Sequence, residues 1–167
     1  MKVIFLDFDG VLNSVVFHKA RLDAGLDMHV GPRGLEPCLD PKGIDVLNKT
    51  VGRTGAVTVV TSTWRKGGGR DGLVPNVRLR EWMKKAGFYG TVLGATPNLG
   101  VRRGLEIQEW LDHDARMFQA RFGPVTHFVI LDDDTDMEHL SDKLVKIDNQ
   151  EGLTAEYLPA ILKHLEG

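Results

Sequence analysis

With 167 residues, 42 % apolar and 26 % charged, the chain suits one soluble domain (1–167) with a single core. A formal net charge of −2 gives the whole molecule no strong pull toward nucleic acid or membrane, and no apolar run approaches the ~20 residues of a membrane span. The one cysteine, Cys38, excludes an internal disulfide and a cysteine-rich zinc site, and it fits a reducing cytoplasm, the expected location.

In chain order, residues 2–6 read as a buried strand and not a signal peptide, because the apolar run stops at Asp7. Residues 14–38 hold Gly25, Gly31, Pro32, Gly34 and Pro37 without a clear period and read as a loop insertion. Asp40 is placed to cap a helix with Pro41 at its first position, Ile44, Leu47 and Val51 on one face, and Gly52 after it. Residues 56–61 form a second strand, followed by a glycine-rich loop over 66–76. Leu79, Trp82, Met83 and Ala86 mark a helix closed by Gly87, with Trp82 in the core. Residues 91–93 form a third strand. Ile107, Trp110, Leu111 and Phe118 mark another helix, in which Asp114 is out of pattern. Strands at 126–131 and 144–147 follow, and Thr154 can cap a last helix carrying Leu158, Ile161, Leu162 and Leu165. Alternation of this kind implies a parallel sheet covered by helices on both faces, with ligands at the carboxyl ends of the strands.

Two strand ends carry most of the chemistry. The first runs into Asp7-Phe8-Asp9-Gly10, the fourth into Asp132-Asp133-Asp134-Thr135-Asp136. Each cluster alone could be a helix cap or a turn. Together, beside one another in a sheet, they would converge on one point. Carboxylates gathered there need a counter-charge, which a hard, oxygen-seeking Mg²⁺ supplies. The second strand ends in Thr61-Ser62-Thr63-Trp64-Arg65, where hydroxyls can hold a phosphate oxygen, Arg65 adds a bidentate fork, and Trp64 can stack on a base. Arg102 and Arg103 precede the Ile107 helix, where a bound anion would explain basic residues at a helix start. Charge is also uneven along the chain: residues 65–103 carry +7 and the remainder −9, which reads either as solvated helix faces or as a basic wall for a polyanion. The six histidines show no ligand spacing.

These residues resemble the haloacid dehalogenase (HAD) superfamily of phosphatases over nearly the whole chain. Asp7-Phe8-Asp9-Gly10-Val11-Leu12 matches its first motif, Val59-Val60-Thr61-Ser62 the apolar strand ending in Ser or Thr, Arg103 the basic residue, and Ile130-Leu131-Asp132-Asp133 the acidic motif. More narrowly, the runs Ser62–Arg65, Arg103–Leu111 and Gly152-Leu153-Thr154 look like the small domains of this superfamily linked to RNA repair, and like the phosphatase half of polynucleotide kinase-phosphatases.

The resemblance implies a Rossmann-like, three-layer α/β/α sandwich with a minimal cap at 14–38. It implies Asp7 as nucleophile forming an aspartyl-phosphate, and Asp9 as general acid and base. Mg²⁺ would be held by Asp7, the Asp9 carbonyl and Asp132, with Asp133 or Asp136 assisting. Ser62, or Thr61 in its place, and Arg103 would bind the non-bridging oxygens, with Trp64, Arg65 and Arg102 nearby. An open site suits a nucleic-acid end, with a 3′-phosphate expected. A nucleotidase is the alternative enzyme, and a non-catalytic binding domain the alternative of another class.

Overall fold

The computed structural model describes residues 1–30, 36–66 and 76–167. Residues 67–75 of the glycine-rich loop, with Arg70, and residues 31–35 lie outside the described residues. Strands β1 (Lys2–Leu6), β4 (Val57–Val60), β5 (Val92–Ala95), β6 (His127–Asp132) and β7 (Leu144–Lys146) form one sheet in the order β5-β4-β1-β6-β7. Every pairing in it is parallel. A short antiparallel pair, β2 (His29–Val30) with β3 (Glu36–Pro37), stands apart.

Alternation along β1 builds two cores. Ile4 and Leu6 face one side, where they pack with α2 (Pro41–Thr54), α3 (Asn76–Lys85) and α6 (Leu158–Glu166) through Leu47, Trp82 and Ile161. Val3 and Phe5 face the other, against Ile107 and Trp110 of α4 (Arg103–Asp112) and near the short α5 (Gln119–Phe122). Phe5 meets Trp110 edge-to-face at 5.4 Å. These are the three layers expected from the sequence.

Element boundaries moved where caps or breaks decide them. Asp40 accepts from the Lys42 amide at 2.9 Å and Pro41 opens α2 as expected, but the helix runs past Gly52 and ends at Gly55. The expected Ile107–Phe118 helix breaks at His113; a 3₁₀ turn over Asp114–Phe118 follows, so Asp114 marks the break. Thr154 precedes a 3₁₀ turn, Ala155–Tyr157, and its side chain makes no capping bond. Residues 14–38 are not all loop. Ser14 accepts from the Phe17 amide at 3.2 Å and starts α1 (Val15–Asp23), a helix with no buried residue. Without an apolar stripe to bury, it leaves no period to read.

Topology places the site. The chain runs β1, β4, β5 outward in one direction, then returns to β6 on the other flank of β1. The strand order therefore reverses beside β1, at a switch point where open α/β sheets bind ligands. Leu6 is level with Val60 on one side and Leu131 on the other, so Asp7, Thr61 and Asp132 stand level at the carboxyl ends of the three strands, Asp132 still paired with Lys146 of β7. The ladder continues one residue further, with the Asp7 amide donating to Leu131 O at 3.0 Å and the Thr61 amide to Leu6 O at 2.8 Å.

Candidate active site

Asp7, Asp132 and Asp133 each offer a carboxylate oxygen to one point, these atoms all lying within 4.8 Å of one another. Asp7 and Asp132 are buried and Asp133 is half-buried. Such crowding is unfavourable for charge. Burial and then the Asp7 charge push the Asp132 carboxyl up to about 7, against the opposing pull of Arg103. The same two causes raise Asp133. The turn at Gly10 makes room for this: its φ is +73°, and a Cβ there would run into the Asp133 carboxylate at 2.5 Å.

Arg103 is the local counter-charge. Its Nη1 lies 2.7 Å from Asp7 Oδ2 and also donates to Asp132 Oδ2. Those two carboxylates hold its guanidinium firmly charged despite burial. The residue sits at the start of α4, and Asp136 fixes that start: Asp136 Oδ2 accepts from the Arg103 amide at 3.0 Å and its carbonyl from the Gly104 amide at 3.1 Å. Gly104 is required by contact, because a Cβ would overlap the Met137 backbone. Asp136 thus caps α4 from across the fold, and the group of three forms around Asp133 instead.

Asp9 is exposed and faces another way. Its Oδ1 accepts from Asn13 Nδ2 at 2.7 Å and from Trp64 Nε1 at 2.8 Å, and Thr63 Oγ1 lies 3.5 Å from Oδ2. Asn13 Oδ1 in turn accepts from the Gly10 amide at 3.0 Å, which ties the turn together. Neither Asn13 nor Thr63 was selected from the sequence; the signal was their place beside the two motifs.

The expected phosphate-binding residues separate into groups. Thr61 and Ser62 are both fully buried. Thr61 Oγ1 has no hydrogen-bond partner among the described residues, whereas Ser62 Oγ lies 3.4 Å from the Trp64 amide. Arg65 turns inward. It is 2 % exposed, pairs with the buried Glu106, and donates through Nη1 to the carbonyls of Thr61 and Ser62. Its fork therefore braces the strand end from behind. Glu106 also accepts from the Leu99 amide at 2.9 Å. Arg102 points outward to Glu138 at 2.7 Å.

The insertion at 14–38 reaches the site through aromatic rings. His29 packs on Trp64 at 5.1 Å between centroids, and Trp64 on the buried Trp82 at 6.0 Å, both T-shaped. His18 lies 6.5 Å from His29 between ring centroids, and its Nε2 is buried with no partner among the described residues. Burial and the His29 charge hold His18 below the ordinary imidazole range. The basic wall expected over 65–103 is thinner than its count. Arg80 donates to the carbonyls of Val92 and Leu93, Lys85 pairs with Glu36, and Arg65, Arg102 and Arg103 are engaged as described. Arg78 and Lys84 are exposed, and Lys66 half-buried, without an ion pair among the described residues. A cavity of about 880 Å³ opens beside β5, lined by Arg80, Lys84, Arg121 and Tyr89 among others, but none of the clustered acids lines it.

The family model for the HAD domain in Swiss Army Knife RNA repair proteins matches residues 3–158. No curated protein and no solved structure matches the chain. Among the described residues, no helix is long and apolar enough to cross a membrane.

Proposed function

This chain belongs to the family of HAD domains in Swiss Army Knife RNA repair proteins, and from that premise we propose that it is a Mg²⁺-dependent phosphomonoesterase acting on a nucleic-acid end, with a 3′-phosphate as substrate. The observation that carries this reading is the convergence of Asp7, Asp132 and Asp133 with Arg103 at the switch point of the sheet.

The donor set fits a hard divalent cation. All three groups are carboxylates, and burial together with the Asp7 charge penalises the anionic form of Asp132, a penalty that a cation reverses. Asp7, the Asp9 carbonyl, Asp132 and Asp133 would hold Mg²⁺, whose charge when bound offsets carboxylate–phosphate repulsion and polarises the phosphoryl oxygens.

The chain's own groups then divide the work. Asp7 attacks phosphorus, forming a P–O bond to its carboxylate as the bond to the leaving oxygen breaks. Asp9 gives that oxygen a proton. In the second half Asp9 takes a proton from water, whose oxygen attacks the aspartyl-phosphate and releases Asp7 and inorganic phosphate. Arg103, already on Asp7, turns its remaining N–H groups to the non-bridging oxygens. Thr61 stands level with Asp7, and its Oγ1, without a partner among the described residues, makes it a better candidate than Ser62 for another of those oxygens.

Openness supports a polymeric substrate. The described part of 14–38 supplies one nine-residue helix and a two-residue strand pair, too little to enclose a site. Purified protein given Mg²⁺ and a panel of 3′-phosphorylated oligonucleotide, 5′-phosphorylated oligonucleotide and mononucleotides should release phosphate fastest from the first. Faster release from the mononucleotides would replace this reading with a nucleotidase.

A further inference from the structure

Asp9 is held on one oxygen only. Its Oδ1 receives two N–H donors, Asn13 Nδ2 at 2.7 Å and Trp64 Nε1 at 2.8 Å. A carboxylate oxygen has two lone pairs, and the indole N–H can donate but never accept. With both lone pairs engaged, Oδ1 has no room for a proton. Among the described residues, Oδ2 meets only the Thr63 hydroxyl, at a loose 3.5 Å.

Trp64 is itself well anchored. Its ring makes T-shaped contacts with Trp82, which is buried in the larger core, and with His29 of the 14–38 insertion. Its amide lies 3.4 Å from Ser62 Oγ. The indole nitrogen is therefore a fixed point, tied to the core on one hand and to the insertion on the other.

We propose that Trp64 is a positioning residue for the reaction: with Asn13 it fixes Oδ1 of Asp9 and leaves Oδ2 as the oxygen that exchanges the proton. This rests on the reading of Asp9 as general acid and base given above. In the first step the Oδ2–H bond breaks and the proton passes to the leaving oxygen as its bond to phosphorus breaks. In the second, a water O–H bond breaks and the proton returns to Oδ2 as the water oxygen bonds to phosphorus. Trp64 stays bonded to Oδ1 throughout and touches no reacting atom.

Trp64→Phe removes the N–H and keeps an aromatic ring in place. A general acid matters most when the leaving group is a poor one, and such help is worth ~10²–10⁴-fold. With an alkyl phosphate, Trp64→Phe should lower kcat about tenfold or more, as a share of that range, with KM nearly constant. With a nitrophenyl phosphate, whose leaving group departs without a proton, the single-turnover rate of leaving-group release should fall less than about threefold. Equal losses in the leaving-group step on both esters would mean that the ring only packs, and an unchanged kcat on the alkyl ester would overturn the proposal outright.

A second measurement needs no turnover. The chain has three tryptophans, so its indole N–H region of an NMR spectrum holds three signals. The one lost in Trp64→Phe should move upfield in Asp9→Ala, where Trp64 is intact but its acceptor is gone. If none of the three signals moves upfield in Asp9→Ala, the proposal is overturned even if Trp64→Phe fails to fold. Wild type inactive on both esters would instead remove the phosphatase reading, and the proton assignment with it. Wild type active beside an indifferent Trp64→Phe would remove only the role of Trp64.

Discussion

A single nitrogen of Arg103 bridges Asp7 and Asp132, lying 2.7 Å from Asp7 Oδ2 while donating to Asp132 Oδ2. Arg103→Met leaves two buried carboxylates without that counter-charge. Breaking a buried pair from one side typically costs about 3–5 kcal/mol. The variant should melt well below wild type in chelator, and Mg²⁺ should restore more of its Tm than it adds to wild type. Equal Mg²⁺ shifts in the two proteins would argue against a metal shared by these carboxylates.

Asp7→Asn should keep the fold and lose turnover. The side chain lies at the end of a strand buried on both faces, and the amide preserves its size. Melting should be near wild type or higher, since one of three crowded charges is gone. Phosphate release within tenfold of wild type would reject the covalent mechanism.

Stability in chelator should depend on Asp132 with a definite sign. Its carboxyl sits at about 7 in the fold against an ordinary 3.8. Between those values the folded chain holds a proton that the unfolded chain has lost, so this residue's contribution falls as pH rises from about 4 to 7. Asp132→Asn cannot titrate and should gain on wild type across that window. Melting curves of both proteins at pH 5 and pH 8 make the comparison, and a Tm difference that is constant with pH would contradict it.

Arg65 and Glu106 should behave as a structural pair. Arg65→Met alone strands Glu106 in the interior and should cost about 3–5 kcal/mol by denaturant unfolding. Adding Glu106→Leu should recover a large part of that loss, because replacing both partners removes the unpaired charge. If Arg65 instead held phosphate, its loss would raise KM while leaving stability in place.

Oligonucleotide binding should weaken with salt, and Arg78 and Lys84 are exposed cations of the basic segment with neither an ion pair nor a side-chain hydrogen bond among the described residues. On a single strand each phosphate contact contributes a log–log slope of about −0.7. Replacing both with alanine should flatten the slope by about 1.4. Hydrolysis of a small aryl phosphate should hold constant. A slope identical to wild type would move the nucleic-acid track to another face.

Much of this fold was legible because buried parallel strands write themselves as continuous apolar runs. The five sheet strands fall within a residue or two of where those runs predict them. The acidic ends of β1 and β6 were legible for the same reason: charge directly after a buried strand has few structural excuses. The helix α1 was not, since none of its residues is buried. Neighbouring residues of like chemistry were also indistinguishable. Asp133 and Asp136 differ only in where the backbone aims them, one into the cluster and one onto the α4 amides. Arg65 and Arg103 are equally plausible as phosphate ligands on paper, yet one pairs with a buried glutamate and the other with the clustered acids. The bond from Trp64 to Asp9 spans 55 residues and left no trace in local pattern.

The joint at Gly104 divides the site into two parts, each held from a different side. With no side chain there, α4 presses against the Met137 backbone, and Asp136 clamps its first two amides. Arg103 and the Asp132–Asp133 pair are therefore joined in one block. Asp9 is on the other side of that division. It is exposed, follows Asp7 by two residues, and hangs from Asn13 and an indole that touches the 14–38 insertion. On the proposed reading, changes in that insertion would retune proton delivery and the fit of the leaving group, while the block around Arg103 stays as it is.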